Sequence, residues 1–263
     1  MFDISGKVAI VSGGASGIGL SIVEQLLKNG IKGVSIADIN DENGQRAVQD
    51  FNEKYCVGKV IFLKVNVAVR NEFEEVFKTT VKTFKNLDIV VNAAGIFKDS
   101  IWEEAIAVNL GGTITGTCFA FENYLPKHKS GPEGVIVNIS SIVGLNVYPY
   151  APVYSATKSG VVAFSRCYGS TTHFNRNPIR VMVLCPGYTD TPFHRIYPGR
   201  MLHESFNDLK TEVTKDLVLQ LPTHVAEATI KMIKDGENGS VWVVENAKDP
   251  YEVKLSVKEE HLK

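Results

Sequence analysis

Short apolar runs recur along the chain, separated by longer segments of helical period. The runs near 7–12, 33–37, 59–65, 87–92, 134–140, 179–185 and 240–244 have strand length and little polar alternation, as strands buried on both faces do. Helical spacing fills the gaps at about 17–29, 41–55, 70–85, 102–128, 153–173 and 223–234. The first helix sets Ile18, Ile22 and Leu26 on one face, and the second Ala47 and Phe51. This alternation predicts an α/β fold: a single-domain, Rossmann-type doubly wound parallel sheet of seven strands with helices on both faces. The helix over 102–128 has the least support from propensity, because Gly111, Gly112 and Gly116 each cost about 1 kcal/mol relative to Ala. Close packing against a neighbouring element would account for them.

Two segments break the rhythm. The stretch 187–221 is long and polar, contains Pro192, Pro198 and Gly199, and carries a short helical pattern around 204–219. Such a length in a compact domain marks a lid-like functional loop. The tail 245–263 follows the last strand with mixed charge, and is expected either to be disordered or to cover a neighbouring site. No repeat, low-complexity tract or linker divides the 263 residues, so 1–263 is read as one domain.

A net charge of −1 leaves no basic face for nucleic acid, and the expected partner is a small molecule. Cys56, Cys118, Cys167 and Cys185 are widely spaced without a C-x-x-C pair, which speaks against a disulfide frame or structural zinc. The histidines lack metal-ligand spacing, so no metal is expected. No apolar run is long enough for a membrane span, and the chain reads as cytoplasmic.

The chemistry starts at the first strand. Val8-Ala9-Ile10-Val11-Ser12 runs into Gly13-Gly14-Ala15-Ser16-Gly17-Ile18-Gly19, a strand, glycine turn and helix. Gly13 permits a sharp bend, while Gly17 and Gly19 remove side chains where a pyrophosphate approaches and where helix meets strand. The helix N-terminus then faces the anion. The second strand, Gly33-Val34-Ser35-Ile36-Ala37, ends at Asp38, about twenty residues on, where a carboxylate takes both ribose hydroxyls and repels a 2′-phosphate. With no cation close by, the predicted cofactor is NAD rather than NADP. Tyr154 and Lys158 stand one helical turn apart, so one face carries a phenol and an ammonium able to favour its phenolate. Tyr148 and Tyr150 have no cation at the same offset. Just upstream, Val135-Ile136-Val137-Asn138-Ile139 ends in Ser140-Ser141, at the sheet edge where doubly wound folds place ligands.

These motifs, in this order, resemble the short-chain dehydrogenases/reductases over essentially the whole chain. The family's Asn-Asn-Ala-Gly segment is similar to Asn92-Ala93-Ala94-Gly95, and its spacing selects Ser141 over Ser140. The resemblance implies that Tyr154 is the general base in oxidation, that Ser141 orients the substrate hydroxyl, and that Lys158 lowers the Tyr pKa and holds the nicotinamide ribose. Asn109 would hold a water in the proton path. The implied cofactor contacts add Ser16 and Ile18 in the turn, Ile39 beside Asp38, Asn66 and Val67 at the adenine, and Pro186, Gly187, Thr189 and Thr191 at the carboxamide. Ser12, Ala93 and Asn66 depart from the commoner Thr, Asn and Asp. Within the family, Pro152-Val153-Tyr154 and Asn238-Gly239-Ser240-Val241-Trp242 look most like the 15-hydroxyprostaglandin and insect-type alcohol dehydrogenase branches. However, Ala151 replaces the Gln of the prostaglandin branch. Apolar residues near the expected pocket, among them Val143, Leu145, Val147, Tyr148, Tyr188, Phe193 and Ile196, point to a hydrophobic secondary alcohol or its ketone, of lipid, prostaglandin, terpenoid or steroid type. The alternative is an NAD-binding regulatory or structural protein without turnover. A homodimer or homotetramer is implied, paired through 102–128 and 153–173, with Phe119, Phe121, Val161, Phe164 and Tyr168 as seam candidates.

Overall fold

The computed structural model describes residues 1–194 and 199–255. Seven parallel strands form one sheet: β1 (Val8–Ser12), β2 (Gly33–Asp38), β3 (Val60–Lys64), β4 (Ile89–Asn92), β5 (Gly134–Ile139), β6 (Ile179–Pro186) and β7 (Val241–Val244). Their spatial order is β3-β2-β1-β4-β5-β6-β7, so the chain reverses its winding between β1 and β4 and opens a crevice at their carboxyl ends. An eighth strand, β8 (Tyr251–Glu252), pairs antiparallel with β7 and extends the expected seven by one short edge. The tail up to Leu255 is therefore part of the sheet edge, and Val253 and Leu255 pack on the β6–β7 core. The rest of the expected tail, 256–263, lies outside the described residues.

The central strands are buried along their whole length, which is why they read as unbroken apolar runs. Helices α1 (Gly17–Lys28) and α2 (Asp41–Lys54) cover one face together with α8 (Pro222–Asp235). The opposite face takes α3 (Arg70–Phe84), α4 (102–128) and α5 (Pro152–Tyr168). A short helix, α6 (Thr171–Arg176), follows a break at Gly169, so the expected single helix 153–173 is two. A Cβ on Gly169 would lie 2.4 Å from the Gly239 backbone, and this close approach turns the chain.

Helix α4 does form over 102–128, but Ala107–Gly112 and Phe119–Tyr124 wind as wider π-type turns. Its glycines answer to packing: a Cβ on Gly116 would meet Asn92 Oδ1 at 2.2 Å and the Phe73 ring at 2.9 Å. The helix thus sits closer to β4 than any side chain would allow.

The described parts of the segment 187–221, residues 187–194 and 199–221, are folded. The ends of the segment are tied together, since Asp190 N–H donates to Gln220 O at 2.7 Å and Gln220 N–H to Tyr188 O at 2.9 Å. Between them, α7 (Phe206–Thr214) turns Phe206, Leu209 and Val213 onto a cluster of Phe97, Tyr150, Ala151 and Met201. Ile196 and Pro198 of this segment lie outside the described residues.

Candidate active site

The glycine turn closes against the end of β4. Gly13 has φ +67, and a Cβ there would lie 2.8 Å from the Ala94 backbone; on Gly19 it would reach 2.1 Å from Gly13 O. Any larger residue would force the turn open. Ser12 Oγ accepts from the N–H groups of Ala93 and Ala94 at 3.2 and 3.3 Å, which pins β1 to the segment after β4. The α1 N-terminus, with Ser16 as N-cap, carries no side-chain cap, so its first amides face the crevice. A tight glycine cradle under uncapped amides is the donor set a pyrophosphate needs, and the residues present fit a dinucleotide.

Asp38 ends β2 on the same crevice. Its Oδ2 accepts from Ala15 N–H and its Oδ1 from Asn40 N–H, each at 3.0 Å. The carboxylate therefore holds the glycine turn as well as presenting negative charge to the cleft. Gly13, Ser16, Gly17, Ile18, Gly19, Asp38, Ile39, Asn66, Val67, Ala93, Ala94 and Gly95 all line this wall. The Asn66 carbonyl is engaged locally, as Oδ1 accepts from Ala68 N–H at 3.0 Å.

Two expected residues are not brought into the cleft. Asn92 is buried behind it, its Nδ2 donating to Asn138 Oδ1 at 2.8 Å and Thr117 Oγ1 at 3.2 Å. The Asn109 side chain is also buried, pairing with the Ile96 backbone and donating to Thr157 Oγ1 at 3.3 Å. Both are amides that the surrounding buried polar groups capture first.

At the far end of the crevice, α5 delivers Tyr154 and Lys158. The first turn of α5 is capped from a distance: Asp99, fully buried, accepts from Val153 N–H at 2.9 Å and Tyr154 N–H at 3.0 Å. A carboxylate there complements the helix dipole, although burial raises its pKa. Because this cap lies over fifty residues away in sequence, no local pattern announces it. Ser140 donates its hydroxyl to Lys158 O at 2.8 Å, whereas Ser141 lines the cleft with Tyr154, its Oγ donating to Pro186 O at 3.5 Å and accepting from Val143 N–H at 3.4 Å. Lys158 donates Nζ to Ile139 O at 3.0 Å and lies 5.6 Å from the Tyr154 ring centroid.

The electrostatics correct one expectation. Burial pushes the Tyr154 phenol well above its ordinary range, and the Ser141 hydroxyl offsets only part of this. Burial also pushes Lys158 down to about 8. In the protein alone, desolvation outweighs the attraction between ammonium and phenolate. Nearby Cys185 is pushed up to about 12 by burial and is a thiol, not a nucleophile.

The pocket above Tyr154 is aromatic. Phe97, which sequence reasoning missed, places its ring centroid 5.3 Å from Tyr154 and 6.2 Å from Phe193. Val143, Tyr148, Tyr150, Tyr188 and Phe193 line the same cleft, as do Pro186, Gly187, Thr189 and Thr191. Val147 and Leu145 do not: Val147 points to solvent and Leu145 packs on the β6–β7 core. All four cysteines are unpaired, and no cluster of metal-ligating side chains occurs among the described residues. Among the described residues, no helix is long and apolar enough to cross a membrane.

A dinucleotide cradle and a Ser-Tyr-Lys group facing one crevice define an α/β oxidoreductase of the nucleotide-dependent kind. The family profile described as short chain dehydrogenase matches residues 7–198. Mouse (Mus musculus) 15-hydroxyprostaglandin dehydrogenase [NAD(+)] is 31% identical over 249 residues, which cover 93% of this chain and 92% of the relative. Alcohol dehydrogenase 2 of Ceratitis cosyra is 30% identical, with 91% and 92% covered. Among solved structures, levodione reductase superposes with a TM-score of 0.77 at 21% identity, covering 92% of this chain and 97% of that one, a likeness of fold. The chain belongs to the short-chain dehydrogenase family.

Proposed function

We propose that this chain is an NAD-dependent oxidoreductase that moves a hydride between a hydrophobic secondary alcohol, or its ketone, and NAD. The observation that carries this reading is that Ser141, Tyr154 and Lys158 line one aromatic pocket that opens onto the glycine cradle, with Lys158 Nζ 5.6 Å from the Tyr154 ring centroid. Asp38 favours NAD, because a 2′-phosphate would meet its charge. The relatives named above as NAD(+) and alcohol dehydrogenases support the same cofactor and reaction class.

NAD, when bound, supplies the hydride acceptor and a positively charged ring. Ser141 orients the substrate oxygen. Tyr154 takes its proton in the oxidative direction, with Lys158 supplying positive charge below the ring. Asn109 acts at one remove by holding the wall at Ile96. Within the described part of the segment 187–221, α7 brings Lys210 to the pocket wall and packs Phe206, Leu209 and Val213 behind it.

The reading extends to a cytoplasmic homodimer or homotetramer. Phe119, Phe121 and Val161 are buried within the monomer and are not available as a seam. Phe164 and Tyr168 remain partly exposed, and an apolar groove of Ile106, Leu110, Pro152, Val153 and Ala156 on α4 and α5, bordered by Leu202, supports pairing on this face. Light scattering at micromolar protein should give a mass at least twice that of the monomer. For the activity, a panel of secondary alcohols and ketones is assayed by NADH and NADPH absorbance. Turnover of apolar substrates with NAD is expected; cofactor binding without any turnover would overturn the reading.

A further inference from the structure

Among the described residues, Lys7 and Lys158, which are withdrawn from solvent in part or in full, find acceptors: Lys7 reaches Asp88 and Ser130, and Lys158 the Ile139 carbonyl. Lys210 does not. It is the buried residue of α7, 4% exposed, and its side chain lines the substrate end of the cleft. Among the described residues, its ammonium has no carboxylate within ion-pair distance and no hydrogen-bond acceptor; its one neighbour of note is the Phe97 ring, 5.7 Å from Nζ to centroid. The charged group closest in effect is a second cation, Arg200, whose guanidinium donates to Phe193 O at 2.9 Å. Glu104 also lines the cleft, but as an exposed side chain that makes no ion pair with Lys210. This end of the pocket therefore places the Lys210 ammonium beside aromatic walls, with no carboxylate paired to it among the described residues.

We infer that Lys210 is an anion-binding subsite for the substrate, and that the preferred alcohol or ketone carries a carboxylate which this ammonium receives. The inference rests on the reading that the cleft takes an alcohol or ketone, and it adds a polar end to a substrate otherwise defined as hydrophobic. The geometry bounds the distance. Lys210 Nζ lies 5.7 Å and the Tyr154 ring centroid 5.3 Å from the Phe97 centroid, so a short chain can join a carboxylate at one to a reacting carbon at the other. An ammonium at the wall of an aromatic cleft is partly desolvated, and a bound carboxylate supplies it with a counter-ion and a charge-assisted hydrogen bond. Burial and the Arg200 charge lower the Lys210 pKa, in keeping with a cation that lacks its counter-ion.

The test compares hydroxyoctanoates, with the hydroxyl at successive carbons, against their methyl esters, using the full chain with NAD. The wild type should prefer acid to ester, most strongly at one hydroxyl position. Lys210→Met should lower the acid-to-ester ratio of kcat/KM by at least about 30-fold, as expected for removal of one partner of a buried charge pair, and Lys210→Arg should restore much of it. A second arm needs no turnover: calorimetric titration of octanoate and methyl octanoate into the NADH complex. Octanoate should bind at least about 30-fold more tightly to the wild type than to Lys210→Met, while methyl octanoate should not discriminate. Octanoate binding through Lys210 in a protein that oxidises no alcohol would support the subsite and overturn the oxidoreductase reading. Turnover of alcohols with an acid-to-ester ratio near one, unmoved in Lys210→Met, would overturn the subsite and leave the oxidoreductase reading standing.

Discussion

Asn109 and Ile96 are joined twice: Ile96 N–H donates to Asn109 Oδ1 at 2.7 Å, and Asn109 Nδ2 donates to Ile96 O at 2.9 Å. A side-chain amide thus takes the place of a strand partner for the segment that follows Gly95, and it does so from the π-type turn of α4, where Asn109 is fully buried. Asn109→Leu removes both bonds and leaves the Ile96 polar groups unsatisfied, at a cost of about 2–4 kcal/mol. Denaturant unfolding should show this loss. KM should rise as well, because Phe97 is the next residue along the cleft wall. An unchanged unfolding midpoint would count against the clamp.

The sheet was legible because buried parallel strands leave apolar runs that need no partner to be recognised, and Asp38 because its position follows from the length of one βαβ unit. The interruption of α5 at Gly169 was not, since it comes from the approach of Gly239, seventy residues away in the chain. Asp99 and Lys210 escaped for the same reason. As isolated residues they look like surface charges, and only the tertiary fold puts one under a helix N-terminus and the other in an aromatic pocket. Asn92 and Asn109 show the converse, in that a motif correctly located in the chain did not reveal which way its amides turn.

Cofactor choice tests Asp38 in both of its roles. Asp38→Asn removes the charge but keeps an oxygen for the Ala15 amide, so the preference of kcat/KM for NAD over NADP should fall by about 10-fold or more, with little change in stability. Asp38→Ala loses the two backbone contacts as well and should lower stability by a further 1–2 kcal/mol or so. A wild type that uses NADP as well as NAD would remove the argument.

Lys158 should leave a signature in stability against pH. Its pKa is lowered to about 8 in the fold from an ordinary 10.5, so between these values the unfolded chain binds a proton that the folded chain does not. Stability must then rise with pH across that window, and below pH 8 the full cost of burying the ammonium is present. Without nucleotide, Lys158→Met should be more stable than the wild type at pH 7 by up to about 3 kcal/mol, with the gap closing toward pH 10.5. Thermal melts of the two proteins across this range give the difference directly. A gap that stayed constant with pH would show that Lys158 is not titrating as its burial requires.

The role of Tyr154 separates an enzyme from a protein that only binds NAD. Tyr154→Phe deletes one hydroxyl but keeps the ring contacts with Phe97 and Phe193. NAD affinity, measured by titration, should therefore change little, whereas turnover should fall by about 10²–10⁴-fold, the range for a positioned acid or base. The pH profile carries the sharper test. In the protein alone, burial holds the Tyr154 phenol above its ordinary value of 10, so it cannot serve as a base near neutral pH without added positive charge. In kcat/KM for the alcohol at saturating NAD, the rising limb should instead fall below pH 10, because the charged ring and Lys158 then face the same oxygen. Lys158→Met should move that limb upward, and in Tyr154→Phe no such limb should remain in the residual rate. Undiminished turnover in Tyr154→Phe would mean that the proton leaves by another route and that the Ser141–Tyr154 pair only shapes the pocket.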